Sequence, residues 1–251
     1  MHIGRAVAAT VLMTLPLFAS AATSPAVEQA LNRSDRLEGD AEIDARRKPG
    51  EVLTFFGVEP GMVVLEMFAG GGYYTEILAN VVGSDGALYA HNSKPYVAYA
   101  KKELDRRFTP GRLEGVHQFL AENNELELDE DRFDVAILIL SYHDIYHVDE
   151  KNGWFPIDGP KMLAEIRDAM KSGAVLGIVD HVAAAGSPPE TGNSLHRIDP
   201  ALMRKEIEAA GFVFDGESDV LRNPADDHSK PMYAPEVRGK TDRVVYRFRK
   251  P

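Results

Sequence analysis

Between Asp134 and Leu140 the chain reads DVAILIL, one acid followed by six apolar residues. A run that is apolar at every position cannot leave one face in water, so it predicts a strand covered on both sides. Such strands belong to parallel sheets with helices packed on each face. The rest of the chain fits that demand. Strand-like runs cover Met62–Phe68, Ala87–Asn92, Gly115–Leu120, Ala174–Val182, a segment from Phe212 onward and Arg243–Arg249. Helical patterns cover Tyr74–Val82, Tyr96–Phe108, Pro160–Met170 (closed by Gly173) and Pro200–Ala210. Alternating strands and helices predict a doubly wound, Rossmann-like α/β sheet of seven strands.

The ends of the chain add organisation. A short basic start through Arg5, an uncharged apolar run from Ala6 to Phe18 and the small residues Ala19-Ser20-Ala21 have the layout of a secretory signal peptide, residues 1–21. That layout predicts an exported protein, in a bacterium a periplasmic one. No later stretch is long enough for a membrane helix. Residues 22–50 carry helical spacing around Val27, Leu31 and Leu37 and form a lead-in. Pro49 suits the first turn of a helix over Gly50–Phe56. The main domain is expected over 51–251. The net charge of −11 argues against a nucleic-acid partner. The absence of cysteine excludes disulfides, thiolate metal sites and a cysteine nucleophile within these residues. Nothing in the sequence sets an oligomeric state.

The strongest local signal is Val64-Leu65-Glu66-Met67-Phe68-Ala69-Gly70-Gly71-Gly72-Tyr73-Tyr74-Thr75. A buried strand runs through three glycines into a helix. Glycines there permit a tight turn and a close ligand approach, and the helix start offers unpaired N–H groups. Thr75 stands where a dinucleotide fingerprint has its third glycine, and no phosphate-binding lysine follows.

On these residues the chain resembles the class I S-adenosylmethionine-dependent methyltransferases, and more narrowly an exported group of them. Glu66 matches the acid of the family's first motif, and Gly70 and Gly72 match its G-x-G. Asn92 ends the second strand where the family has a ribose-binding acid. Glu122-Asn123 fall beside the expected adenine. Phe133-Asp134 through Ser141-Tyr142-His143 resemble the fourth motif, and Lys171-Ser172-Gly173 and Ala210-Gly211-Phe212 resemble later ones. Phe68 departs from the family's first glycine, and Asn92 from its acid. The resemblance implies S-adenosylmethionine as cofactor, held by Glu66, Gly70, Gly72, Asn92, Glu122, Asn123 and Ser141. It also implies a small-molecule acceptor and an antiparallel last strand.

Ligands in such sheets bind beyond the C-terminal strand ends, where Tyr142, His143, Asp144, His147, Asp180, His181 and His196-Arg197 gather. Tyr142, His143 and His181 are expected to face the acceptor, with either histidine available as a base. A metal reading pairs His143 with His147 on one helical face, with His181 or His196 as third ligand. The spacing lacks H-E-x-x-H, so the favoured assignment contains no metal. A third reading is a non-catalytic exported protein that keeps the fold and binds another ligand or a partner. The basic run Arg46-Arg47-Lys48 reads as a solvated helix face.

Overall fold

The computed structural model describes residues 22–251, so the signal segment lies outside the described residues. Three helices, α1 (Pro25–Leu31), α2 (Asp40–Arg47) and α3 (Pro49–Phe56), precede the first strand, β1 (Val63–Met67). Then follow α4 (Tyr73–Val82), β2 (Ala87–Asn92), α5 (Lys94–Arg107), β3 (Val116–Leu120), β4 (Phe133–Ile139), α6 (Gly159–Ala169) and β5 (Met170–His181). The chain ends with α7 (Thr191–Leu195), α8 (Pro200–Ala209), β6 (Val213–Ser218) and β7 (Arg243–Arg249).

The seven strands form one sheet in the order β3-β2-β1-β4-β5-β7-β6. All pairings from β3 through β5 are parallel, and β7 runs antiparallel between β5 and β6. The DVAILIL run becomes β4, paired with β1 on one side and β5 on the other. Its side chains alternate between two cores, as the pleat requires. Val135 and Ile137 pack with residues of α1, α3 and α4. Ala136 and Leu138 pack with residues of α6 and α8. Val27 and Ala30 are buried in the first of these cores, so the lead-in is packed into the domain. Helix α3 lies close on the sheet at Gly177, where a Cβ would stand 2.6 Å from the Phe56 ring.

One boundary differs from the sequence pattern. Helix α6 stops at Ala169, and β5 begins at Met170, before Gly173. Met170 is buried and pairs with Phe133, and the register then slips before Val135 meets Val175. Gly173 (φ 79°) is the kink of that irregular strand start, not the end of the helix. Among the described residues no helix is long and apolar enough to cross a membrane. The winding reverses between β1 and β4, which leaves a crevice at their C-terminal ends.

Candidate active site

One side of the crevice is the turn from β1 into α4. Glu66, on β1, is buried and accepts a hydrogen bond from Thr75 Oγ1 at 2.6 Å. Burial pushes its pKa up to about 8, against the opposing pull of Thr75, Arg47 and Arg107, so at neutral pH it holds a proton. The chain then turns through Phe68 (φ 53°), Gly70 (φ 57°) and Gly72 (φ 84°). A Cβ on Gly71 would collide with Glu103 of α5 at 2.6 Å, so that glycine serves packing. A Cβ on Gly70 would meet nothing nearer than the Phe68 carbonyl at 4.0 Å. Gly70 is therefore needed for its backbone conformation and for the open approach it leaves.

Asn92 pins this turn. Its Oδ1 accepts from the Gly70 N–H at 2.9 Å, and its Nδ2 donates to the Gly70 carbonyl at 3.1 Å. An aspartate could make only the first of these bonds, which accounts for asparagine at this position. His91 beside it is kept neutral by burial, with its pKa lowered to about 4. Phe68, at the position of the family's first glycine, turns inward and stacks on Tyr96 with centroids 5.2 Å apart. Tyr96 in turn meets Trp154 edge-on at 4.9 Å. Trp154 belongs to a strap, residues 148–158, that is tied to the β3 end. Asn124 Nδ2 donates to the Pro156 carbonyl at 3.0 Å, and Asn124 Oδ1 accepts from the Asp158 N–H at 2.8 Å.

Three buried polar atoms past the ends of neighbouring strands have no hydrogen-bond partner: Ser93 Oγ, Asn123 Oδ1 and Ser141 Oγ. They follow β2, β3 and β4 respectively. A buried polar atom without a partner costs about 1–3 kcal/mol, so three at successive strand ends mark a place where a ligand would supply partners. Glu122 is on the rim, 41% exposed, 3.6 Å from Lys94. The cavity beside the turn, lined by Ala69, Thr75, Asn92, Val97, Leu104 and Phe108, has a volume of about 60 Å³. Small-molecule pockets usually measure about 300–1,000 Å³, so this cavity is too small to take a whole nucleoside-bearing ligand as it stands.

The other side of the crevice is built from buried charge. A 3-10 turn, Tyr142–Tyr146, follows β4. His143 is buried, and both its backbone N–H and its ring Nδ1 bond to Asp180 at the end of β5, each at 2.7 Å. Its Nε2 is 3.3 Å from Asp144 Oδ1. Burial opposes a charge on His143, but the Asp180 and Asp144 carboxylates outweigh it and raise its pKa to about 9. His143 is therefore an imidazolium at neutral pH and not a ready base. His181 is the reverse case. Burial, reinforced by His143 and Arg243, holds its pKa well below the ordinary value, and its Nδ1 contacts Thr241 Oγ1 at 2.6 Å.

Tyr142 lies within the packed interior. It is fully buried, and its hydroxyl donates to Glu206 of α8 at 2.9 Å. His143 and His147 do not share a helical face, because a 3-10 turn has three residues per turn. His147 reaches outward to Asn193 Oδ1 at 3.0 Å, and His196 lies between the two, its ring 5.4 Å from one and 5.0 Å from the other.

No protein-family model matches the sequence, and no curated protein matches it. Solved structures do. An S-adenosylmethionine-dependent methyltransferase from Aquifex aeolicus aligns over 88% of this chain and 96% of its own, at 23% identity and a TM-score of 0.55. The fold is that of the S-adenosylmethionine-dependent methyltransferases. A second such enzyme, from Mesorhizobium loti, aligns over 85% of this chain and all (100%) of its own, at 15% identity and a TM-score of 0.54. The cyclase SpnF aligns over 88% and 84%, at 18% identity and a TM-score of 0.54. A methyltransferase fold thus also carries a cyclase, so the reaction must be argued from the site.

Sequence reasoning missed Ser93, the Tyr96–Trp154 pair and the strap. It placed Thr75 only as a missing glycine, whereas its hydroxyl satisfies Glu66. A Ser immediately after a strand that ends in Asn was the available signal for Ser93. Tyr96 and Trp154 are 58 residues apart in sequence and had none.

Proposed function

We propose that this protein transfers a methyl group from S-adenosylmethionine to a small acceptor, and that the leader directs it out of the cytoplasm. The observation that carries the reading is the set of unpartnered Ser93, Asn123 and Ser141 oxygens past the C-terminal ends of β2, β3 and β4, the strands on either side of β1, together with the open approach at Gly70. These groups suit a polar nucleoside-bearing ligand. When bound, the cofactor supplies a methyl group on a positively charged sulfur. Gly70 lets the ligand approach the turn, Gly72 supplies left-handed backbone packed against Arg107 and Phe108, Asn92 fixes that turn, and Asn123, Ser141 and the rim acid Glu122 offer polar contacts. Glu66 shapes the turn through Thr75 and not by its charge.

On the acceptor side, His143 is held charged and His181 neutral, and neither is tuned near pH 7 as an efficient base requires. The chemistry therefore rests on alignment of acceptor and methyl donor, which is the main need of such a transfer.

Calorimetric titration with S-adenosylmethionine and S-adenosylhomocysteine tests the reading. Saturable binding that Gly70→Val removes from a still-folded protein is the expected result. A folded protein that binds neither at millimolar ligand overturns it.

A further inference from the structure

Beyond methyl transfer, and without relying on it, three side chains of the charged cluster converge on one point. His143, Asp144 and His196 each offer one ligand atom, and these atoms all lie within 4.8 Å of one another. His143 Nε2 is 3.3 Å from Asp144 Oδ1, and His196 Nδ1 is 3.4 Å from that same oxygen. Charge-assisted N–H···O bonds are shorter, about 2.7–2.9 Å. Donors bound at about 2.0–2.1 Å to a tetrahedral zinc ion are about 3.3–3.4 Å apart. These two separations match the edges of such a tetrahedron better than they match hydrogen bonds, and the third, between the two histidine nitrogens, is within 4.8 Å. Around an octahedral ion with similar bond lengths the edges shrink to about 3.0 Å.

The surroundings have the form that holds metal ligands in place. A metal-binding histidine ordinarily donates its second ring nitrogen to a carboxylate or carbonyl. His143 does so through Nδ1 to Asp180, which also accepts the His143 backbone N–H, so the ring can present only Nε2 to the cluster. The second oxygen of Asp144 accepts from the Tyr96 hydroxyl, which leaves Oδ1 turned to the two histidines. His196 sits on left-handed backbone (φ 50°), a conformation that a non-glycine residue keeps only when neighbours impose it. Arg197 imposes it. Fully buried, it forms a two-pronged pair with Asp226 at 2.8 and 3.1 Å and donates to the Val182 and Lys230 carbonyls. Ile198 N–H then bonds the His181 carbonyl at 2.9 Å, fastening the loop to the end of β5.

The geometry points to a divalent zinc-class ion bound by His143 Nε2, Asp144 Oδ1 and His196 Nδ1, with its fourth position open; binding releases to solvent the proton that His143 Nε2 carries in the empty site, while Nδ1–H stays on Asp180. Asp144 and His196 retain 14% and 21% side-chain exposure, so the ligand set is not sealed from solvent. Three protein ligands with one open position is the arrangement of catalytic and not of structural zinc. This set differs from the one sequence spacing suggests: Asp144 and His196 replace His147 and His181. His147 is occupied with Asn193, and His181 with Thr241.

The test is metal binding itself, with no methyl donor present. The protein is stripped with chelator, dialysed, and titrated with Zn(II) by calorimetry and with Co(II) by visible absorption. One ion per chain is expected, with the intense visible bands of four-coordinate Co(II). His196→Ala and Asp144→Asn should each weaken binding by about 100-fold or more, while His147→Ala binds like the parent. Circular dichroism confirms that each variant is folded, and partly exposed His196 is the variant least expected to disturb folding. Absence of stoichiometric binding by the folded parent overturns the site. So does binding that survives His196→Ala, which would mean scattered surface histidines, or binding that is lost in His147→Ala instead.

Discussion

Between Phe68 and Gly72 the crevice is made of backbone pinned by one amide, Asn92, whereas past β4 and β5 it is made of charged side chains that hold one another. The titratable groups of the first region are held neutral: Glu66 keeps a proton and His91 stays uncharged, both because of burial. The second holds an imidazolium between two carboxylates. A backbone-built turn tolerates little change of conformation but carries little electrostatic risk. A buried charge cluster is the opposite, since any one member leaves the others uncompensated when removed. The difference predicts that one region fails through shape and the other through charge.

The sharpest way to break that contrast is Asp180→Ala. It strands the His143 charge and removes the acceptor of the His143 and His181 backbone N–H groups. A loss of about 3–5 kcal/mol is expected in denaturant unfolding; a loss under about 1 kcal/mol would show that the cluster carries no such tension.

Asn92→Ala should cost about 1–3 kcal/mol, because it orphans both polar groups of Gly70. Asn92→Asp keeps one bond and sharpens the comparison: pinning predicts lower stability. If instead it leaves stability unchanged and tightens S-adenosylmethionine binding, Asn92 serves the ribose and not the turn.

Glu66 adds a pH test. Its folded pKa, about 8, lies above its ordinary value of 4.5. The stability it contributes is therefore complete below pH 4.5 and is lost as pH rises through about 8. The slope reaches at most about 1.4 kcal/mol per pH unit in that window. Glu66→Gln should flatten unfolding free energy against pH over that range; an unchanged slope would mean that Glu66 is ionised in the fold. Gly70→Ala should cost about 1 kcal/mol through its left-handed backbone alone. Smallest of all, Glu122→Gln breaks only an exposed pair with Lys94, so thermal melting should move by less than about 0.5 kcal/mol equivalent. A cofactor contact at Glu122 would then show in affinity without a change in stability.

The legibility of the two regions differs for the same reason. The turn is contiguous: strand, glycines and helix follow one another over Val64–Thr75, and local chemistry dictates their order. DVAILIL likewise announced a doubly covered strand, since the pleat period leaves an all-apolar run no wet face. Phe68 was visible as a departure, but not its stack on Tyr96. The charged cluster gathers residues from the turn after β4, the end of β5, helix α5 and the loop before α8. Its histidines could be counted in the sequence but not paired, and the four-residue spacing of His143 and His147 suggested a shared helical face that the chain does not form. Sequence periodicity assumes a helix, and the chain makes a 3-10 turn there instead.

Local patterns of apolar spacing and glycine thus determined the sheet, its order of elements and the turn at its edge, because those depend on neighbours in sequence. Tertiary structure alone decided that Tyr142 turns away to Glu206, that Asn92 holds Gly70, and that His196 meets Asp144 and His143. Those contacts join chain segments far apart in sequence, and their energies depend on burial and charge, which exist only once the sheet has brought the strand ends together.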